Sequence, residues 1–210
     1  DNAYCVHHLY EDKQDYLLEI LMECKKAGNP DMVYKFASTS KISFPGSGIA
    51  AMAASEANLN DIRDMMKYQT IGHDKVNQLR HVRFFKDIHG IVEHMKKHAN
   101  IMRPKFEAVI DVLERELGGL EIGSWIKPLG GYFISFDSLD GCAKAIVAKA
   151  KEAGLVMTGA GATYPYGKDP HDSNIRISPS YPTPEELSVA ADIFVLSVKL
   201  VSIDKILESK

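Results

Sequence analysis

Along the chain, short stretches of apolar and polar residues typical of β-strands alternate with longer stretches that have helical spacing. The first ten residues, DNAYCVHHLY, have the composition of a strand, and the apolar residues among positions 16–24 have helical spacing. The stretch MVYKFAST predicts a second strand, and the small apolar residues of SGIAAMAAS predict a third strand that is buried. Strands that alternate with helices indicate an α/β layer fold.

The pattern changes further along the chain. Residues 56–69 predict an amphipathic helix, and residues 74–117 keep a helical pattern for longer than a single globular helix usually lasts. Because glycine and proline weaken helices, we expect Gly90 and Pro104 to break or bend this segment. Beyond residue 119 the pattern predicts a strand, a helix, a second strand and a closing helix, which is typical of a small α+β domain. We place the boundary between two domains near residue 103.

Composition and charge narrow the class of protein. A chain of 210 residues that is 45% hydrophobic can bury a substantial core. With 25 Lys and Arg against 28 Asp and Glu, the formal charge is −3, which argues against nucleic acid or an anionic membrane as a partner. No apolar run approaches the roughly 20 residues that a membrane-spanning helix requires.

The cysteines and the N-terminus bear on location and completeness. Cys5, Cys24 and Cys142 lie far apart without CxxC spacing, which argues against a disulfide framework and for a reducing compartment. No charged leader precedes an apolar segment, so we predict a cytoplasmic protein. The chain begins at Asp1, without Met and inside a strand-like stretch, and we therefore expect an N-terminal portion to be absent.

The stretch FASTSKISFPGSG places Lys41 among small polar residues and glycines. A lysine that forms a Schiff base with an aldehyde cofactor must be held at a fixed position and be partly desolvated. The hydroxyls of Ser38, Thr39 and Ser40 can donate to a phosphate, and the nearby glycines let backbone amides approach one. This combination suits pyridoxal phosphate. The alternative is an ordinary turn in which Lys41 points to solvent.

Asp1 and Tyr4 are candidates to contact the ring of the same cofactor. A carboxylate beside a pyridine nitrogen keeps that nitrogen protonated, so that the ring can accept electrons from a substrate. Successive strand residues point to opposite faces, so both side chains reach one ring only if the strand has ended between them. The alternative is a capping aspartate and a core tyrosine.

Arg176 lies within the apolar strand NIRIS. A guanidinium in such a strand needs a carboxylate partner, and a substrate carboxylate held by two hydrogen bonds is one possibility. A structural ion pair is the alternative. His94 and His98 have the i, i+4 spacing of a helical metal pair, but no further ligand completes a metal site, and we interpret them as part of a solvated helix face.

These motifs, in this order, resemble those of pyridoxal-phosphate-dependent aminotransferases of fold type I. The resemblance rests on DNAY at residues 1–4, STSK at 38–41, GGYF at 130–133, NIRI at 174–177 and YPTPEEL at 181–187. Two further stretches, TIGHDKVNQLRHVRFF at residues 70–85 and GAGATYPYG at 159–167, are similar to the aspartate aminotransferase branch grouped with MocR-type aminotransferases. The likeness covers the whole chain but only the later part of a family protein.

The resemblance implies an α/β fold: residues 1–102 would form the C-terminal part of the large cofactor-binding domain, and residues 103–210 the small α+β domain. It also implies a homodimer. For the site, it implies that Lys41 forms the Schiff base and then moves the substrate proton. Asp1 would contact the pyridine nitrogen and Tyr4 the ring oxygen. Ser38 and Ser40 would bind the cofactor phosphate, and Arg176 would bind the substrate α-carboxylate.

The chain departs from the family pattern at one position. Many fold type I aminotransferases place a phosphate-binding arginine seven residues after the lysine, and this chain has Gly48 there. The phosphate would then be held by backbone amides and the Ser47 hydroxyl, or by a basic residue from elsewhere. The absent half normally supplies the phosphate turn and the aromatic residue that stacks on the ring. We therefore expect the 210-residue chain alone to be inactive.

Two functions remain open from the sequence. The first is an aminotransferase that moves the amino group of aspartate, or of a related acidic amino acid, to a 2-oxo acid. Arg80 and Arg83 are candidates by charge alone for binding the distal carboxylate. The second is the effector domain of a MocR-like transcription regulator, with the same fold and cofactor. The similarity of residues 70–85 to the aspartate aminotransferase branch favours the enzyme.

Overall fold

A computed structural model describes residues 1–208 and divides the chain into two compact units, the first ending at His98 and the second beginning at Ala99. The division falls inside a long helix, as does the boundary drawn from the sequence at residue 103. Within residues 1–208, no helix is both long enough and apolar enough to cross a membrane.

The strands of the first unit form a two-stranded antiparallel ribbon. β1 (Lys35–Ser38) pairs with β2 (Ala50–Ala53), with Lys35 opposite Ala53 and Ser38 opposite Ala50. The predicted burial of β2 is wrong, because three of its four residues are exposed in a ribbon that has only these two strands within the described residues.

The N-terminal strand predicted for DNAYCVHHLY is also wrong. Its backbone N–H groups are used in local turns: Cys5 donates to the carbonyl of Asn2 and His7 to that of Tyr4. The segment meets β1 through a bond from Asn2 N–H to Phe36 O, at 2.6 Å. The helix predicted among residues 16–24 begins four residues further along the chain, since α1 covers only Ile20–Lys26.

The helices α2 and α3 of the first unit, like α1, begin at side-chain caps. α2 (Glu56–Gln69) starts after Ser55, whose hydroxyl accepts from Asn58 N–H. This helix confirms the prediction for residues 56–69. α3 (Lys75–Phe85) starts after Asp74, whose carboxylate accepts from Asn77 N–H.

The long helical segment breaks at Lys86, and not at either residue predicted from the sequence. Lys86 adopts a φ of 65°, which ends α3, and α4 then runs without interruption over Ile88–Leu117. Gly90 lies in the first turn of α4, where a Cβ would stand 1.7 Å from the carbonyl oxygen of Phe85. Gly90 is therefore required by the close approach of the end of α3, and Pro104 lies inside the continuous helix.

The second unit packs helices on a three-stranded antiparallel sheet. The strands β3 (Gly123–Trp125), β4 (Ile134–Ser138) and β5 (Asn174–Ile177) lie in the order β3-β4-β5. α5 (Ala143–Glu152) connects β4 to the later strand, and α6 (Pro184–Glu208) closes the described chain.

The core of the second unit forms on one face of this sheet. β4 alternates buried and half-buried residues, and its central Phe136 is fully buried. The Phe136 ring stacks on Trp125 and meets the ring of Phe194 from α6 edge to face, at a centroid distance of 5.0 Å. This packing fixes the position of β5, and with it that of Arg176.

Candidate active site

The loop between β1 and β2 forms a closed turn around Lys41. The N–H groups of Ile42 and Ser43 both donate to Thr39 O, at 2.9 and 2.8 Å. At the base of the loop, Thr39 N–H donates to Ile49 O, and Ile49 N–H donates to Thr39 Oγ1, both at 2.8 Å. The small polar residues of FASTSK therefore give the loop a defined backbone.

The side chain of Lys41 is exposed, whereas the next residue anchors the turn. Ile42 is buried in an apolar cluster with Phe85 of α3 and Met95 of α4. In this chain Lys41 thus points to solvent, and the partial desolvation expected for it is not observed. Its backbone, by contrast, is held.

Two histidines bind consecutive carbonyl groups of the turn. His7 Nε2–H donates to Lys41 O at 3.0 Å, and His94 Nε2–H donates to Ile42 O at 2.8 Å. Burial lowers the pKa of His7, and it lowers the pKa of His98, with a further contribution from the nearby His94. Within residues 1–208 no group of side chains could hold a metal ion. The solvated helix face predicted for His94 is wrong, because this ring is half-buried against the turn.

α3 holds both arms of the same loop. His81 Nδ1–H donates to Asn77 O, so Nε2 faces the hydroxyls of Ser43 and Thr39, at 2.7 and 3.0 Å. Asn77 Nδ2 donates to the carbonyls of Ser47 and Gly48, at 2.7 and 3.2 Å.

The roles of these histidines and of Asn77 were missed from the sequence. Asn77 and His81 have i, i+4 spacing within the stretch TIGHDKVNQLRHVRFF, which places them on one helix face. That spacing was the available signal, but it does not identify the loop that they bind.

The N-terminal segment brings Tyr4 close to the lysine turn through His7. The Tyr4 ring lies edge to face with His7, at a centroid distance of 5.3 Å, and His7 binds Lys41 O. The carboxylate of Asp1 is exposed and accepts from Ala3 N–H at 3.1 Å, which is the capping contact given as its alternative role. Asp1 adjoins β1 because Asn2 pairs with Phe36.

The residues proposed for the phosphate lie at the end of β1 and in the loop. Ser38 and Ser40 are half-buried, and no hydrogen bond of either hydroxyl occurs within residues 1–208. A Cβ at Gly48 would stand 2.8 Å from Ser40 Oγ and 3.1 Å from Ser40 N. The loop therefore has no space for an arginine at position 48 without a shift of Ser40, and it offers hydroxyl and amide donors that fit a phosphate.

Arg176 belongs to the second unit, where it lies on β5 opposite Ser135. Its guanidinium carbon stands 4.4 Å from the centroid of the Phe133 ring. Its Nε atom is buried and has no hydrogen-bond partner, and no carboxylate among residues 1–208 forms an ion pair with it. The structural ion pair that was the alternative is thus not made.

A pocket of about 200 Å³ lies beside Arg176 in the second unit. Its lining is mostly apolar and includes Val109, Leu155, Val156, Met157, Pro182, Leu187 and Phe194. An unpaired guanidinium atom in an apolar pocket is suited to a carboxylate that arrives with a ligand. The pocket is therefore the candidate site for a substrate carboxylate.

The fold gives the class of protein. The chain has the mixed helix and strand fold of the fold type I aminotransferases. A family model described as aspartate amino-transferase matches residues 1–210, and the chain belongs to this family.

Individual relatives agree with this assignment. The chain is 41% identical over 192 residues to an aspartate aminotransferase of Corynebacterium glutamicum, a match that covers 91% of this chain and 44% of the relative. The crystal structure of an aspartate transaminase from Corynebacterium glutamicum is 40% identical, with a TM-score of 0.92, over 98% of this chain and 48% of that one.

A more distant structure shares the fold. An α-aminoadipate aminotransferase from Thermus thermophilus, complexed with a phosphopyridoxyl derivative of leucine, is 20% identical, with a TM-score of 0.74. It covers 95% of this chain and 49% of that chain. This chain spans about half the length of the curated relatives that it matches.

Proposed function

We propose that this chain acts within a longer polypeptide as part of a pyridoxal-phosphate-dependent aminotransferase. The amino donor is aspartate or a related acidic amino acid, and the acceptor is a 2-oxo acid. The family match over residues 1–210 carries this proposal, and the identity to an aspartate aminotransferase supports the donor. No observation favours the transcription-regulator alternative.

Lys41 is the proposed catalytic residue. Its side chain is exposed in this chain, whereas the backbone carbonyls of Lys41 and Ile42 accept hydrogen bonds from His7 and His94. Lys41 would hold the cofactor covalently, and its amine would then accept and return the proton of the substrate α-carbon. Bound pyridoxal 5′-phosphate supplies an electron-accepting ring.

The cofactor contacts are assigned to residues near the lysine turn. Ser38 and Ser40 donate their unbonded hydroxyls to the phosphate, in a loop that Gly48 keeps free of a side chain. Asp1 contacts the ring nitrogen and Tyr4 the ring oxygen. For Asp1 this requires that the carboxylate exchange its present bond with Ala3 N–H for the cofactor.

Arg176 binds the α-carboxylate of the substrate. The buried Nε without a partner and the apolar pocket beside it support this role. A bidentate Arg–carboxylate pair fixes the orientation of the α-carbon as well as binding it. The protein is proposed to be a homodimer, as the family resemblance implies, and to be cytoplasmic, as three cysteines far apart and without CxxC spacing indicate.

The first test is an absorbance spectrum of the full-length protein with pyridoxal phosphate, before and after addition of aspartate. We expect a visible band that aspartate bleaches, and we expect Lys41→Ala to lack it. Lys67→Ala, which changes an exposed lysine of α2, is the matched control and should keep the band. A band that survives in Lys41→Ala would contradict the proposal.

The isolated 210-residue chain provides a second test. We expect it to show no transamination, because the chain spans about half the length of its relatives and the family resemblance implies that further cofactor contacts come from the other half. Robust turnover by the chain alone would contradict that expectation.

A further inference from the structure

Two histidines from separate elements bind the carbonyls of two consecutive peptide groups, those on either side of the Ile42 Cα. His7 comes from the N-terminal segment and binds Lys41 O, and His94 comes from α4 and binds Ile42 O. Carbonyl oxygens only accept, so each Nε2 carries the proton. A ring with its proton on Nε2 makes this contact whether or not Nδ1 is also protonated, so the contact does not depend on a positive charge.

The surroundings of the two rings fix their positions. His7 is only 5% exposed, and burial lowers its pKa, which favours the neutral donor. The His94 ring meets both Phe84 and Phe85 edge to face, at centroid distances of 5.4 Å. Ile42, between the two bound carbonyls, is buried with Phe85. The turn is thus held by one apolar anchor and two directed hydrogen bonds.

These contacts matter for the side chain that projects from the turn. Lys41 is exposed and has four flexible carbons, so that in this unit its ammonium can be placed only through the orientation of its backbone. Water can bind the carbonyls of an exposed turn, yet here both carbonyls accept from histidine side chains.

We propose that His7 and His94 are positioning residues for Lys41, and that they set the direction of the lysine side chain by binding the carbonyls of Lys41 and Ile42. This inference rests on the proposed function. Removing one donor frees a peptide plane, and a displacement of about 1 Å at a reacting group costs on the order of 100-fold in rate. The expected effect falls on the lysine-dependent step and not on substrate binding.

The test compares glutamine and asparagine at each histidine position in the full-length protein, since their side-chain amides differ in length. His94→Gln places an N–H donor near the position of Nε2, whereas His94→Asn carries the same amide on a shorter chain that cannot reach Ile42 O. The pair His7→Gln and His7→Asn does the same for Lys41 O. His171→Asn, at an exposed histidine of the second unit, is the control.

Four quantities are measured for each variant: cofactor content, the pH midpoint of the visible band, kcat and KM for aspartate, and the melting temperature. We expect the Asn variants at positions 7 and 94 to bind cofactor, to shift the pH midpoint and to lose about 10- to 100-fold in kcat with little change in KM. The Gln variants should recover most of this loss. His171→Asn should match the wild type.

Two results would overturn the inference. Gln and Asn variants with the same kcat and pH midpoint would show that reach to the carbonyl is irrelevant. A fall in melting temperature without any change in the band or in kcat would show a structural role only. A wild-type protein whose band does not depend on Lys41 would instead overturn the proposed function, and this inference with it.

Discussion

Arg176 combines a buried polar atom that lacks a partner with a pocket that offers apolar contacts. We expect Arg176→Gln to raise KM for the amino acid substrate by about 10- to 100-fold, the value of a lost hydrogen bond to a charged group. Arg176→Lys should recover only part of the affinity, because lysine keeps the charge but not the bidentate geometry.

The melting temperature separates this role from a structural one. Since no carboxylate within residues 1–208 pairs with Arg176, neither substitution should lower the melting temperature by more than a few degrees. Steady-state kinetics and thermal unfolding of the full-length protein provide both quantities. A large loss of stability with an unchanged KM would argue for a structural arginine.

Gly48 is the second position where a single residue decides the geometry of the site. A Cβ there would lie 2.8 Å from Ser40 Oγ and 3.1 Å from Ser40 N, and only the hydroxyl can rotate away. We expect Gly48→Ala to lower the free energy of unfolding by about 1–3 kcal/mol, the usual cost of overpacking. Gly72→Ala, where a Cβ would meet no atom within 4 Å, is the matched control.

Urea unfolding of the two glycine variants tests whether a Cβ at position 48 destabilises the protein. Equal midpoints for Gly48→Ala and Gly72→Ala would mean that the loop can move away from Ser40. The same variants, incubated with pyridoxal phosphate in the full-length protein, would then show whether cofactor affinity depends on this close approach.

At the scale of elements, local signals predicted the helices better than the strands of the first unit. Ser55 and Asp74 are residue types that favour helix N-termini, and α2 has the predicted bounds. The strand predicted at the N-terminus is absent because its amides close turns, and the break after α3 falls at Lys86 because φ there is 65°. Neither cause is a property of composition or periodicity.

The site shows the same division. Lys41, Ser38 and Arg176 stand out as unusual residues in short stretches, so sequence reasoning could name them. The roles of His7 and His94 could not be predicted, because their bonds to Lys41 O and Ile42 O depend on how the N-terminal segment and α4 pack on the turn.

The contact between the N-terminal segment and α4 should depend on pH. Burial lowers the folded-state pKa of both His7 and His98 below the ordinary histidine value of about 6.5. The unfolded chain therefore binds protons first as the pH falls, so this contribution to stability is complete above pH 6.5 and is lost as the pH falls through the folded pKa values. The carboxylates with lowered pKa, such as Glu116, titrate at more acidic pH and do not enter this window.

Urea unfolding at several pH values between about 7.5 and 5 measures this loss. The doubly substituted variant His7→Gln/His98→Gln should have a flatter dependence on pH over this range than the wild type. An unchanged slope in the double variant would assign the pH dependence to other groups.

At the scale of the whole molecule, the two units differ in how much apolar surface they bury. The second unit has fully buried side chains in its sheet and helices, such as Phe136, Ile146 and Val198. In the first unit, the apolar side chains of Tyr16, Leu17 and Phe36 are half or more exposed. The relatives are about twice as long as this chain.

This difference predicts unequal stability in the isolated chain. A two-stranded ribbon is marginally stable alone, whereas three strands packed against helices can be stable independently. We expect the amides of β1 and β2 to exchange hydrogen at least 10-fold faster in the 210-residue chain than in the full-length protein, while those of β4 and β5 exchange at similar rates in both. Hydrogen exchange followed by mass spectrometry measures all four strands in one experiment. Equal protection of β1 and β2 in the two proteins would mean that the contacts within this chain are enough to stabilise the first unit. The expected inactivity of the 210-residue chain would then come from missing cofactor contacts and not from a loosened lysine turn.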